Sequence, residues 1–96
     1  MAGIRARYEG ERRELAKLIS EGDELYGAGK YRAAGEVYSD ALRAASRLAE
    51  RAAGLSEALM SAPNAQFEAF AFWEGERYTM NGLLQALDGA LADCID

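Results

Sequence analysis

Apolar residues recur along the first quarter of the chain at helical spacing. Ile4, Tyr8, Leu15, Leu18, Ile19, Gly22, Leu25 and Tyr26 fall mostly three, four or seven residues apart, which predicts an amphipathic helix from about Ile4 to Tyr26. Gly27-Ala28-Gly29 then places two helix-ending glycines before Lys30, the pattern of a tight turn between antiparallel helices. The second arm carries Tyr31, Ala34, Val37, Tyr38, Ala41, Leu42, Ala45, Leu48, Ala49, Ala52, Leu55 and Leu59, in helical phase across Gly54, so one long helix is expected. Ser61-Ala62-Pro63-Asn64 holds the single proline and predicts a break, with Asn64 suited to cap the next helix. A third helix should reach about Met80 and stop at Asn81-Gly82. A short fourth would carry Leu84, Leu87, Leu91, Cys94 and Ile95 as its apolar stripe.

Composition sharpens this to an all-α fold in a single domain over residues 1–96. Alanine occurs 20 times and leucine 11 times, against one valine, one threonine and three isoleucines, so strand formers are nearly missing. The one cysteine excludes a disulfide framework, and the lack of histidine removes the commonest metal ligand and neutral-pH base. Met1 to Tyr8 hold arginines but no apolar run, so neither a signal peptide nor a membrane span is expected and a cytoplasmic location is the default. The formal net charge is −5, placed unevenly: residues 1–56 hold ten basic and nine acidic side chains, 57–96 one basic and seven acidic. That distribution argues against a nucleic-acid footprint and favours a partner with a basic surface.

A shift of 53 residues lays Glu21-Gly22-Asp23 on Glu74-Gly75-Glu76, Leu25 on Tyr78, Gly29 on Gly82, Tyr38 on Leu91 and Ala41 on Cys94. A glycine on one helix admits the close approach of another, so Gly22 and Gly75 are expected where helices pack most tightly. With Gly29-Lys30-Tyr31-x-x-Ala34-x-x-x-Tyr38-x-x-Ala41-Leu42 at the signature spacing, residues 15–45 resemble the tetratricopeptide repeat, and 71–96 resemble a degenerate second copy. The resemblance implies antiparallel helical hairpins, four helices in all, presenting a concave face to a peptide or protein. The separation of 53 exceeds the family's repeat of 34, so the second and third helices are expected to be elongated. A three-helix trafficking-type domain shares the Gly-x-Tyr-x-x-Ala-x-x-x-Tyr phrase and is the alternative fold.

By that register the concave face would carry Ile19, Asp23 and Tyr26 from one copy and Phe72, Trp73, Glu76, Thr79 and Met80 from the other. On a helical wheel Phe67, Phe70, Ala71, Gly75 and Tyr78 form the side expected to face the hairpin core, with Phe72, Trp73 and Met80 opposite. The ligand implied is a helix or extended peptide with basic and apolar residues, and the role that of an adaptor or small chaperone, with a secretion-type chaperone as the alternative. A clamp for acidic chaperone tails is disfavoured, because this surface offers acids. Two copies fall short of the three or so that such stacks need, so a homodimer is expected through the third and fourth helices, or a self-assembling unit with no other ligand. No catalytic residue, cofactor or metal site is predicted. Glu74 and Glu76 lie about 200° apart around a helix, Gly27-Ala28-Gly29 lacks the continuation of a phosphate loop, and Cys94 reads as an inert buried thiol.

Overall fold

The computed structural model describes residues 2–62 and 67–95. Three α-helices follow one another, α1 (Ala2–Gly27), α2 (Tyr31–Met60) and α3 (Phe67–Asp93), and among the described residues there is no strand. Contacts between Glu11 and Arg51, Ser56 and Glu74, and Gly35 and Cys94 fix an antiparallel course, with α2 in the middle. The result is a rod 52 × 22 × 15 Å.

The turn from α1 to α2 follows from Gly29. Its φ of +79° is open to glycine at little cost, and it lets Lys30 N–H donate to Leu25 O at 2.9 Å and Gly29 N–H donate to Tyr26 O at 3.0 Å. Those two bonds are the Schellman pair that satisfies the last carbonyls of a helix. At the far end of α2, Ser61 donates to Glu57 O from both its backbone N–H and its hydroxyl, each at 3.1 Å. The predicted turn at Pro63-Asn64 lies outside the described residues.

The core is assembled on α2. Its buried positions Ala34, Tyr38, Ala41, Ala45, Leu48, Ala52 and Ser56 step by four and three residues, and most are alanine. Small side chains let flanking backbones come close, and the volume is filled from outside. α1 supplies Tyr8 and Leu15, with Gly22 seven residues on; α3 supplies Trp73, Met80 and Leu87 at the same interval. Gly22 is where the fit is tightest, since a Cβ there would stand 2.6 Å from the Tyr38 ring.

Three expectations are corrected. α3 runs unbroken through Asn81-Gly82, so among the described residues there is no fourth helix. Gly82 keeps a helical backbone because Leu83, Leu84 and Leu87 continue the stripe that packs on α2, and that burial outweighs the roughly 1 kcal/mol cost of a mid-helix glycine. Gly75 is not at a close approach: nothing lies within 4 Å of a Cβ built there. The inward face of α3 is also the opposite of the one expected. Trp73, Glu76, Met80 and Leu87 are buried, while Phe67, Ala71, Gly75 and Tyr78 are exposed and Phe70 is half-buried. One uninterrupted helix aligns Trp73, Met80 and Leu87 in a single seven-residue series, whereas the other face presents glycine at 75, 82 and 89 and has little to bury.

Gly22→Ala should destabilise the fold by about 1–3 kcal/mol, because the Tyr38 ring has to move. Asn81→Ala should stabilise it by several tenths of a kcal/mol as a mid-helix propensity gain. Urea melts of both variants check this, and a loss of stability in Asn81→Ala would argue for a helix end there.

Candidate functional site

α1 and α3 flank α2 and touch each other through long side chains. Among the described residues no Cα of one comes within 8 Å of a Cα of the other. Tyr8 packs edge-on against Trp73 at 4.8 Å between ring centroids, Phe72 packs edge-on against Trp73 at 4.9 Å, and the Arg5 guanidinium lies 3.8 Å over the Phe72 ring. At the centre of this seam is a carboxylate. Arg12 donates to both oxygens of Glu76 at 2.8 and 2.9 Å, and the Tyr8 hydroxyl donates to Oε1 at 3.1 Å. Glu76 is only 8% exposed, so its charge is held by this pairing rather than by water. Burial, and then the neighbouring Glu76 charge that the hydroxyl bonds, push the Tyr8 phenol well above its ordinary value of 10.0.

A second buried tyrosine is tied at the other end of the rod. Tyr38 donates to Asp23 Oδ1 at 2.6 Å, and burial together with that bond pushes its phenol up to about 12. Ser56, fully buried, donates to Glu74 Oε1 at 2.6 Å, and Arg77 Nε stands 3.5 Å from the same oxygen.

The eight residues expected on one concave face therefore divide. Trp73, Glu76 and Met80 are interior; Ile19 and Phe72 are half-buried against the core; Asp23, Tyr26 and Thr79 are exposed. Tyr26 stacks edge-on with Tyr31 at 5.0 Å, beside the first turn. They do not line a common opening, and the two carboxylates expected to be free for a ligand, Asp23 and Glu76, are engaged inside the chain. Tyr8 and Arg12 were missed as partners. The signal was present, because an acid between Trp73 and Met80 on an apolar stripe needs a cation, and Arg12 stands one turn beyond Tyr8.

An opening does occur at one tip, between the start of α1, the end of α2 and the start of α3. Two adjoining hollows of about 280 and 530 Å³ share Ile4 and Leu55. The first is floored by Leu59, Ala69 and an edge of Trp73, and the second is flanked by Arg7 and Arg51. Ile4 remains 46% exposed, and Met60 and Phe67 at 61% and 84% lie at the same end of the rod. Arg51 is bonded to Glu11 and Arg5 stands 3.9 Å from Glu9, whereas Arg7 has no carboxylate within 4.0 Å among the described residues. Among the described residues no three acidic or cysteine side chains converge to hold a metal, and no helix is long and apolar enough to cross a membrane. Cys94 is half-buried, its Cβ 3.3 Å from where a Cβ on Gly35 would stand. No family model matches this chain, and no curated protein or solved structure is similar to it at a significant level.

Trp73→Ala should lower unfolding free energy by about 3–5 kcal/mol, as for truncation of a core aromatic. Stability should also fall in alkali. The folded Tyr38 holds its proton up to about pH 12 while the unfolded one releases it near 10.0, so its contribution is complete below pH 10 and is lost as pH rises through that window. Urea melts from pH 9 to 12 should show this decline, and Tyr38→Phe should flatten it. An equal decline in Tyr38→Phe would refute the assignment.

Proposed function

We propose that this chain is a small helical protein-interaction domain, adaptor-like or chaperone-like, that takes a partner helix or peptide in the hollow at the tip of the rod. The observation carrying this reading is a pair of adjoining hollows at the tip that share Ile4 and Leu55, with Leu59 in one of them, and that Arg5, Arg7 and Arg51 also line. An exposed apolar surface rimmed by charge is the usual form of a docking site. The chemistry it favours is a short apolar stripe with carboxylates beside it. That differs from the basic ligand expected for the acidic concave face, because Asp23 and Glu76 have internal donors while Arg7 has no carboxylate within 4.0 Å among the described residues. The Gly22-to-Leu42 phrase supports a tetratricopeptide-like hairpin for α1 and α2. The count of three helices supports the three-helix trafficking-type alternative, since the second glycine copy that argued against it does not mark a close packing. Either kinship goes with partner recognition rather than catalysis.

Panning a displayed library of helical peptides should enrich apolar sequences bearing Asp or Glu. Ile4→Asp should weaken the selected peptides at least tenfold, and Arg7→Glu should slow their association and reduce its salt dependence, both at an unchanged melting temperature. Enrichment of basic peptides, or binding that survives both substitutions, would overturn the reading.

A further inference from the structure

The two hollows at the tip differ in charge from the chain that forms them. Acidic side chains outnumber basic ones by 16 to 11, yet the described residues that line the hollows include three arginines and no acid. Of the three, Arg7 alone has no carboxylate within 4.0 Å among the described residues, since Arg5 stands beside Glu9 and Arg51 beside Glu11. The polarity is also graded. Arg7 and Arg51 line the hollow of about 530 Å³, whereas the hollow of about 280 Å³ is lined mainly by aliphatic side chains and ends on Trp73. Ile4 and Leu55 belong to both, so the two make one path from guanidinium groups to an indole edge. Together they fall in the size range of small-ligand sites, about 300–1,000 Å³. The apolar end is narrow. Its walls include Ala58 and Ala69, and one turn of a helix about 10 Å across and 5.4 Å long fills roughly 400 Å³, more than this space holds. A partner helix reaches it with side chains only, whereas an alkyl chain can enter whole.

We propose that this path binds a medium-chain fatty carboxylate, its headgroup on Arg7 and its alkyl chain running past Ile4 and Leu55 to the edge of Trp73, and that the bound carboxylate competes with the partner peptide. The proposal rests on the docking reading above and makes the same hollow its point of control. Charge complementarity selects the headgroup. A neutral chain leaves Arg7 without a counter-ion, and an ammonium meets three guanidinium groups, while a carboxylate is paired by the one cation that has no internal partner. The alkyl chain supplies the affinity, because each methylene fully removed from water tightens binding up to about fourfold.

The experiment is a titration of the full chain with sodium dodecanoate below its micelle concentration, read by the fluorescence of Trp73, the single tryptophan. The emission should move to shorter wavelength and saturate at one ligand per chain. Decanoate should bind at least threefold more weakly, dodecanol at least fivefold more weakly, and dodecyltrimethylammonium without saturation. Arg7→Gln should weaken dodecanoate at least fivefold and leave dodecanol unchanged, and Arg32→Gln, at the Gly29 end of the rod, should alter neither. Dodecanoate should also displace the acidic peptides selected by panning. A change without saturation, equal binding of the ammonium, or an Arg7→Gln effect shared by dodecanoate and dodecanol would overturn the proposal. Peptides that need Ile4 and Arg7 yet are not displaced by dodecanoate would overturn it too, and would leave the docking reading standing.

Discussion

The structure depends on the alanine seam of α2. Five of its buried positions, Ala34, Ala41, Ala45, Ala49 and Ala52, have a single methyl group to offer, so α2 cannot fill a core by itself and serves as the surface onto which two larger-toothed helices close. Each neighbour brings bulk at seven-residue steps, and the bulk is matched locally: where α2 has its one buried ring, Tyr38, α1 has Gly22. Interiors are packed near crystal density, so such compensation is what allows three helices to share one narrow core. α1 and α3 are consequently held apart at backbone level and meet through Tyr8, Arg12, Phe72, Trp73 and Glu76.

That separation explains the buried ion pair. A seam bridged by side chains needs long ones, and Arg12 with Glu76 spans it while fixing the register of α1 against α3. Desolvation offsets much of the Coulomb attraction in such a pair, and its main effect here is to choose one alignment, because a slip of either helix would leave a carboxylate in an apolar setting. The phenol of Tyr8, the phenol of Tyr38 and the hydroxyl of Ser56 behave alike: each donates to a carboxylate across a helix interface. Three interfaces, each carrying one hydroxyl-to-carboxylate bond, give this small fold a defined register despite its uniform alanine content.

The same geometry distributes what is left for partners. With Asp23 and Glu76 used internally, the acidic character of the chain does not concentrate at a groove. An opening falls instead at the tip, where the apolar stripes of α1 and α2 run past their last partners.

The all-α class, the first two helices, the Gly29 turn and the tight contact at Gly22 were legible in the sequence, because each rests on local chemistry: a 3.6-residue periodicity, a residue free to adopt positive φ, a missing Cβ. The continuity of α3 was not. Asn81-Gly82 has the local composition of a helix end, and only the burial of Leu83, Leu84 and Leu87 against α2 keeps the backbone helical there. The inward face of α3 depended on the same fact, since a helix apolar on two sides has no preferred side until a neighbour takes one. The fate of Glu76 was decided last of all. A carboxylate beside Trp73 reads equally well as a binding group or an internal one, and the difference lay in whether Arg12 and Tyr8, more than sixty residues away in the chain, came within reach.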